Sequence, residues 1–248
     1  MQLLRSLLYD ALIYTLMAVM GILCAPLAAL SRDWTYAIVR TYCGMVLWLL
    51  RVLCGIRVEV RGPIPQGEVL VASKHQSFLD ILIHSRHLPR PRFIMKREML
   101  WMPVIGIYGL RMGSTPVHRG RRGAAVRQMV RGAEQQVRPD PGQLIIYPQG
   151  TRLAPGIRAP YKVGAGILYD RLGVDCVPAA TNAGVLWGRK SLRRIPGLAV
   201  VEYLPTIPAG LPQAEFMARL ENSVETASDA LMAEAGFPLA PAPAAAGT

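Results

Sequence analysis

The chain has 248 residues, of which 52% are hydrophobic and 18% charged, with a formal net charge of +12. That excludes a disordered or fibrous polypeptide and fits one domain with an appendage. A mean hydropathy of +0.27 beside so large a positive charge points to two anionic neighbours, phospholipid headgroups and phosphate-bearing ligands.

Residues 11–30 run for twenty positions without a charge, enough for a helix of about 30 Å, the thickness of a bilayer core. A second apolar stretch, 36–54, carries Arg40 and Arg51. Three readings stand side by side: a helical hairpin dipping into one leaflet, a spanning helix followed by an interfacial one, and a cleaved signal peptide. Arg5 and Asp10 make a poor signal n-region and no A-x-A site follows, so membrane attachment is favoured. Cys24, Cys43, Cys54 and Cys176 have no metal-ligand or disulfide-framework spacing, which points to a reducing compartment.

From Val58 onward the texture is that of an α/β domain. Strands are predicted at 68–73, 92–95, 114–118, 143–147, 174–180 and 198–204, and helices at 78–87, 121–138, 163–172 and 212–235. Residues 99–110 form a helical or looped apolar segment. Strands alternating with helices imply a mostly parallel sheet. The expected division is apolar membrane-associated helices over 1–57, the α/β domain over 58–236 and a disordered Pro/Ala tail over 237–248.

Three clusters could carry chemistry. In Lys74-His75-Gln76-Ser77-Phe78-Leu79-Asp80 an apolar strand meets a helix. Ser77 and Asp80 have capping-box spacing, and His75 in the preceding turn could pair with Asp80 as a general base of fixed tautomer. The two roles are compatible. Tyr147-Pro148-Gln149-Gly150-Thr151-Arg152 follows a strand, where α/β sheets bind ligands, although a plain connecting turn has the same composition. Gly113 to Arg122 sets Arg119, Arg121 and Arg122 at a strand-to-helix junction, a phosphate site or a solvated basic surface. His84 and His87 lack a third ligand for a metal. The chain has no G-x-S-x-G elbow, P-loop or H-E-x-x-H, and no nucleic-acid-binding pattern accompanies its charge.

In order, these segments closely resemble the 1-acyl-sn-glycerol-3-phosphate (lysophosphatidic acid) acyltransferase family. Its four blocks read roughly N-H-x-S-x-x-D, G-x-x-x-[IV]-x-R, F-P-E-G-T-R and V-P-[IV]. Here they are KHQSFLD, GSTPVHR, YPQGTR and VPAATNAG. The resemblance spans about residues 58–205 and implies a glycerolphosphate-acyltransferase-like αβα domain behind an N-terminal membrane-associated helical segment. It further implies transfer of an acyl group from acyl-CoA or acyl-carrier protein to a lysophospholipid hydroxyl without an acyl-enzyme, with no metal or cofactor. His75 and Asp80 would be catalytic. Lys96, Arg119, Gln149, Gly150, Thr151, Arg152 and Pro178 would bind substrate, Pro178 on the acyl-donor side. The enzyme would work at an anionic membrane surface, on the cytoplasmic face of a bacterial inner membrane, and would not bind nucleic acid. Two departures stand out: Lys74 replaces the first block's Asn, and Gln149 replaces the third block's Glu, which opens the way to another lysolipid acceptor.

Overall fold

The computed structural model describes residues 1–118, 122–137 and 141–239. The chain opens with α1 (Gln2–Leu23), α2 (Ala25–Leu30) and α3 (Arg32–Cys54). The charge-free run is therefore two helices. Pro26 lies in the first turn of α2; lacking an N–H and clashing with the carbonyl four residues back, it ends α1. Ser31 accepts from Trp34 N at 3.2 Å and caps α3. Gly55, at φ +71°, closes α3 with its N–H directed at the carbonyls of Arg51 and Leu50.

This hairpin lies along the domain and is tied to it at both ends. Near the start of α1, Gln2 Nε2 donates to the carbonyls of Cys54 and Arg194, each at 3.0 Å. Arg194 N donates to Ser6 Oγ at 3.0 Å. The Arg194 guanidinium pairs with Asp10 and stacks over Trp187, 4.2 Å from the ring centre. At the other end Tyr108 OH donates to Gly21 O at 3.2 Å, and Arg111 reaches the carbonyls of Ala28 and Ala29. Leu4, Ile22, Leu23, Leu30 and Trp48 remain exposed on its outer side.

The domain follows as β1 (Ile56–Arg61), β2 (Val69–Ser73), α4 (Leu79–His87), β3 (Pro91–Lys96), a 3-10 turn (Arg97–Trp101), α5 (Pro103–Arg111), β4 (Thr115–Val117), α6 (Arg122–Val137) and β5 (Gln143–Ile146). It continues with α7 (Gly164–Leu172), β6 (Cys176–Thr181), α8 (Ala183–Leu186), β7 (Gly197–Tyr203) and α9 (Gln213–Glu234). The seven strands order as β1-β7-β6-β2-β5-β3-β4, and β6–β7 is the antiparallel pair in an otherwise parallel sheet. β2 sits centrally and is buried on both faces, so it reads as a continuous apolar run. On one face Val71, Ile145 and Val177 pack under α1, α3 and α4, with Val46, Leu50 and Ile83. On the other, Leu70, Ala72, Leu144 and Ile146 pack under α6, α7 and α9, with Ala133, Leu168 and Phe216. The result is the expected αβα arrangement.

The predicted strands and helices are present with ends shifted by a few residues, and 99–110 resolves into the 3-10 turn and α5. β1 and α8 were not anticipated; β1 opens the sheet at Ile56, ahead of Val58. The expected tail lies outside the described residues from 240 onward.

Arg194 is almost fully buried and joins α1 to the loop before β7. Arg194→Ala would strand the Asp10 carboxylate and cost about 2–3 kcal/mol. The expected result is faster amide exchange over residues 2–13 by mass spectrometry, with β2 and β5 still protected.

Candidate active site

β2, β5 and β6 run parallel, so Ser73, Ile146 and Thr181 end on the same edge of the sheet, where open α/β sheets receive ligands. His75 lies in the turn from β2 to α4 and Asp80 in the first turn of α4. His75 Nδ1 is 3.1 Å from Asp80 Oδ2, which also accepts from Gln76 N and Ser77 N, each at 2.8 Å. Thr181 Oγ1, which donates to Val200 O at 2.9 Å, stands 3.4 Å from Asp80 Oδ1. A carboxylate oxygen already taking two N–H groups is an acceptor, so the imidazole proton resides on Nδ1 and Nε2 carries the lone pair.

Asp80 thus pairs with His75 while making only half of the expected capping box. Its carboxylate reaches back to Ser77 N as a capping box requires. Ser77 Oγ accepts instead from Leu79 N, at 3.1 Å, and Phe78 holds the cap position. Asp80 is fully buried and His75 is 9% exposed: the carboxylate is sealed, while an edge of the imidazole meets a cavity.

That cavity, of about 210 Å³, runs from His75 and Tyr147 between the hairpin and α5. Its walls are apolar, among them Met20, Val39, Phe78, Leu82 and Val104. Lys96, at its polar rim, stands 3.5 Å from Glu98. Tyr147 stacks flat on His75 with ring centres 3.8 Å apart. This partner carried no assigned role in the sequence, although it opens the third block.

The loop after β5 is bound directly to the histidine turn, because Leu153 N donates to His75 O at 2.9 Å. Gly150, Thr151 and Arg152 are thereby held beside His75. Gly150 adopts φ +71°, a left-handed backbone conformation that favours glycine. Arg152 is half-buried, and its carbonyl accepts from Arg189 Nη1 at 3.3 Å. Arg119 lies outside the described residues; the preceding His118 contacts the Arg97 guanidinium.

Two expected substrate contacts sit elsewhere. Gln149 is buried and does not line the cavity; its amide donates to Glu225 Oε1 at 3.2 Å. Pro178 is inside β6, in register with Ala72, and its carbonyl accepts from Leu204 N at 2.9 Å. His84 is also internal: its ring nitrogens meet Tyr203 OH at 2.9 Å and Ser73 Oγ at 3.0 Å. Burial pushes its pKa down to about 4.

The acyltransferase family model matches residues 55–182, half of the chain. The human 1-acyl-sn-glycerol-3-phosphate acyltransferase beta is 30% identical over 87% of this chain and 78% of its own length. The chain belongs to the 1-acyl-sn-glycerol-3-phosphate acyltransferase family. A Pseudomonas aeruginosa protein of the same name is 27% identical over 85% of this chain and 82% of its own. The 1-acyl-sn-glycerophosphate (LPA) acyltransferase PlsC from Thermotoga maritima is similar in fold, with a TM-score of 0.76 at 18% identity, covering 94% of this chain and all of that one. The acyltransferase match contains His75, Asp80, the 149–152 loop and Pro178; Glu225 lies beyond it.

Two predictions follow from the groups around this acyltransferase's histidine turn. The unfolded chain protonates His84 near pH 6.5 and the folded one only near 4. Its contribution to stability is therefore complete above pH 6.5 and is lost as pH falls through that window, by about 3 kcal/mol in all. Urea midpoints measured between pH 7 and 4 will fall less steeply in His84→Gln than in wild type. Tyr147 OH is buried without a hydrogen-bond partner among the described residues. Tyr147→Phe keeps the stacking and removes an unpaired polar atom, so it will retain activity and leave stability unchanged or higher by about 1 kcal/mol in denaturant titrations.

Proposed function

We propose that this enzyme transfers a fatty acyl group from an acyl thioester, acyl-CoA or acyl-carrier protein, to the sn-2 hydroxyl of lysophosphatidate, giving phosphatidate. The observation that carries the reading is the His75–Asp80 pair at the mouth of an apolar cavity. Nε2 takes the proton of the acceptor hydroxyl while Asp80 holds the imidazolium that forms. The hydroxyl oxygen attacks the thioester carbonyl carbon, the tetrahedral intermediate expels the thiolate, and His75 returns the proton to sulfur. The acyl tail occupies the cavity. Arg119 and Arg152 bind the acceptor phosphate, with Lys96 at the rim.

No acyl-enzyme is required. His75 makes its side-chain hydrogen bond to Asp80, with none to a serine or cysteine among the described residues. Burial pushes the Cys176 thiol up to about 12, which removes it as a nucleophile. A thioester already carries a good leaving group, so a base and positioning suffice without metal or cofactor. Because Gln149 turns toward Glu225, its difference from the block pattern gives no reason to prefer another acceptor.

The hairpin's attachment at both ends to the domain favours the reading in which it lies in one leaflet, its exposed apolar side among the acyl chains. The net charge of +12 suits an anionic surface, here the cytoplasmic face of a bacterial inner membrane.

The test is acyl transfer by purified protein in lipid bicelles, with labelled acyl-CoA and acyl-carrier protein each offered lysophosphatidate and a panel of other lysolipids. Wild type will form phosphatidate, and His75→Ala will lower the rate by about 10²–10⁴-fold without loss of bicelle binding. Transfer to a different lysolipid alone would move the acceptor, and release of free fatty acid alone would make the protein a thioesterase.

A further inference from the structure

Behind the histidine turn, on the side away from the cavity, lies a second buried polar cluster that the reaction does not use. Its centre is Glu225, in the middle of α9 and 5% exposed. Glu225 Oε1 and Oε2 stand 2.7 and 2.6 Å from Lys74 Nζ. Oε1 also accepts from Tyr161 OH at 3.0 Å and Gln149 Nε2 at 3.2 Å. Lys74 is 2% exposed and has no other side-chain partner among the described residues. A buried ammonium is tolerated only when paired, so Lys74 can occupy this site because Glu225 does.

The contacts of this carboxylate matter because of what they hold. Lys74 immediately precedes His75, and its N–H is bound to Ala179 O at 2.9 Å. Gln149 belongs to the loop whose Leu153 N donates to His75 O. One carboxylate on a 22-residue helix therefore grips both segments that carry the reacting groups. Lys74 and Gln149 are also two of the positions that depart from the block pattern, and both contact Glu225. Where that pattern has a neutral residue and a carboxylate, this chain has a cation and a neutral amide, and the carboxylate comes from α9.

We propose that Glu225 is a positioning residue of this acyltransferase, and that Lys74, Gln149 and Glu225 form one unit in which the carboxylate has moved from the loop after β5 to helix α9. The proposal rests on His75 being the base. Loss of the Glu225 grip lets the His75 turn shift against Asp80 and lowers kcat, while the cavity, walled by other elements, keeps its affinity for acyl chains.

Three variants test it. Glu225→Gln leaves Lys74 buried without a counter-charge and will lower kcat roughly ten- to hundredfold with KM little changed. Gln149→Glu combined with Glu225→Gln returns the carboxylate to the loop and will recover most of that loss. Lys74→Met combined with Glu225→Leu removes both charges, avoiding the unfolding that a lone buried ion would cause, and will stay folded yet slow. The second readout is the ring 15N shifts of His75, which report the Nδ1–H tautomer without any turnover. Glu225→Gln will mix the tautomers and the exchanged pair will restore one. Wild-type kcat and a wild-type 15N pattern in Lys74→Met/Glu225→Leu would overturn the proposal. Absence of acyl transfer by wild type would instead defeat the functional reading, and the 15N pattern would still decide the role of Glu225.

Discussion

The site depends on one carboxylate oxygen. Asp80 Oδ2 takes the two backbone N–H groups of the turn and the imidazole N–H of His75. These three donors converge only if the chain leaves β2 in one particular turn. The same bonds satisfy the N–H groups of Gln76 and Ser77, just ahead of α4, which would otherwise be buried unpaired. Folding the turn and orienting the imidazole are therefore a single event. Thr181, at the end of the adjacent parallel strand, lies on the second oxygen, so the sheet register is built into the geometry of the dyad.

From that turn the two faces of the sheet diverge in chemistry. Toward the hairpin the surroundings are apolar, and the cavity ends in side chains from α1, α3 and α5, suited to a hydrocarbon tail. Toward α9 they are polar and hydrogen-bonded to one another, through Lys74, Glu225, Gln149 and Tyr161. Burial raises the Tyr161 pKa far above its ordinary value, and the adjacent Glu225 charge adds to the effect, so the phenol stays a neutral donor. An imidazole between an oily wall and a polar wall is held from behind and open only in front. His84, kept neutral between Ser73 and Tyr203, adds a hydrogen bond across the same floor without adding charge.

Much of this was legible in the sequence, because parallel strands read as apolar runs and amphipathic helices repeat on their period. β1 escaped because its charges alternate along an edge strand, IRVEVR, which reads as surface. α8, at four residues, is too short to show a period. The break at Cys24 was overlooked because a charge-free run draws attention to length, whereas Pro26 decided the geometry. Asp80 could be paired with His75 because the two are five residues apart. Glu225 could not be found, since it lies 151 residues from Lys74 and 76 from Gln149; only the fold brings α9 to both. Arg194 is a similar case, 184 residues from Asp10.

The same distance in sequence explains why Gln149 invited a reading about substrate. Taken alone, losing a carboxylate from a loop at the strand ends changes the charge a ligand would meet. Beside Lys74 and Glu225, the substitution leaves a buried cluster of net charge zero. A second carboxylate at 149 would stand next to Glu225 and repel it in a region where water screens little. A neutral amide there donates to Glu225 Oε1 and leaves the ion pair with Lys74 intact. The composition of this block thus fits the electrostatics of the core behind it, while on the other side of the turn His75 and Lys96 face the cavity.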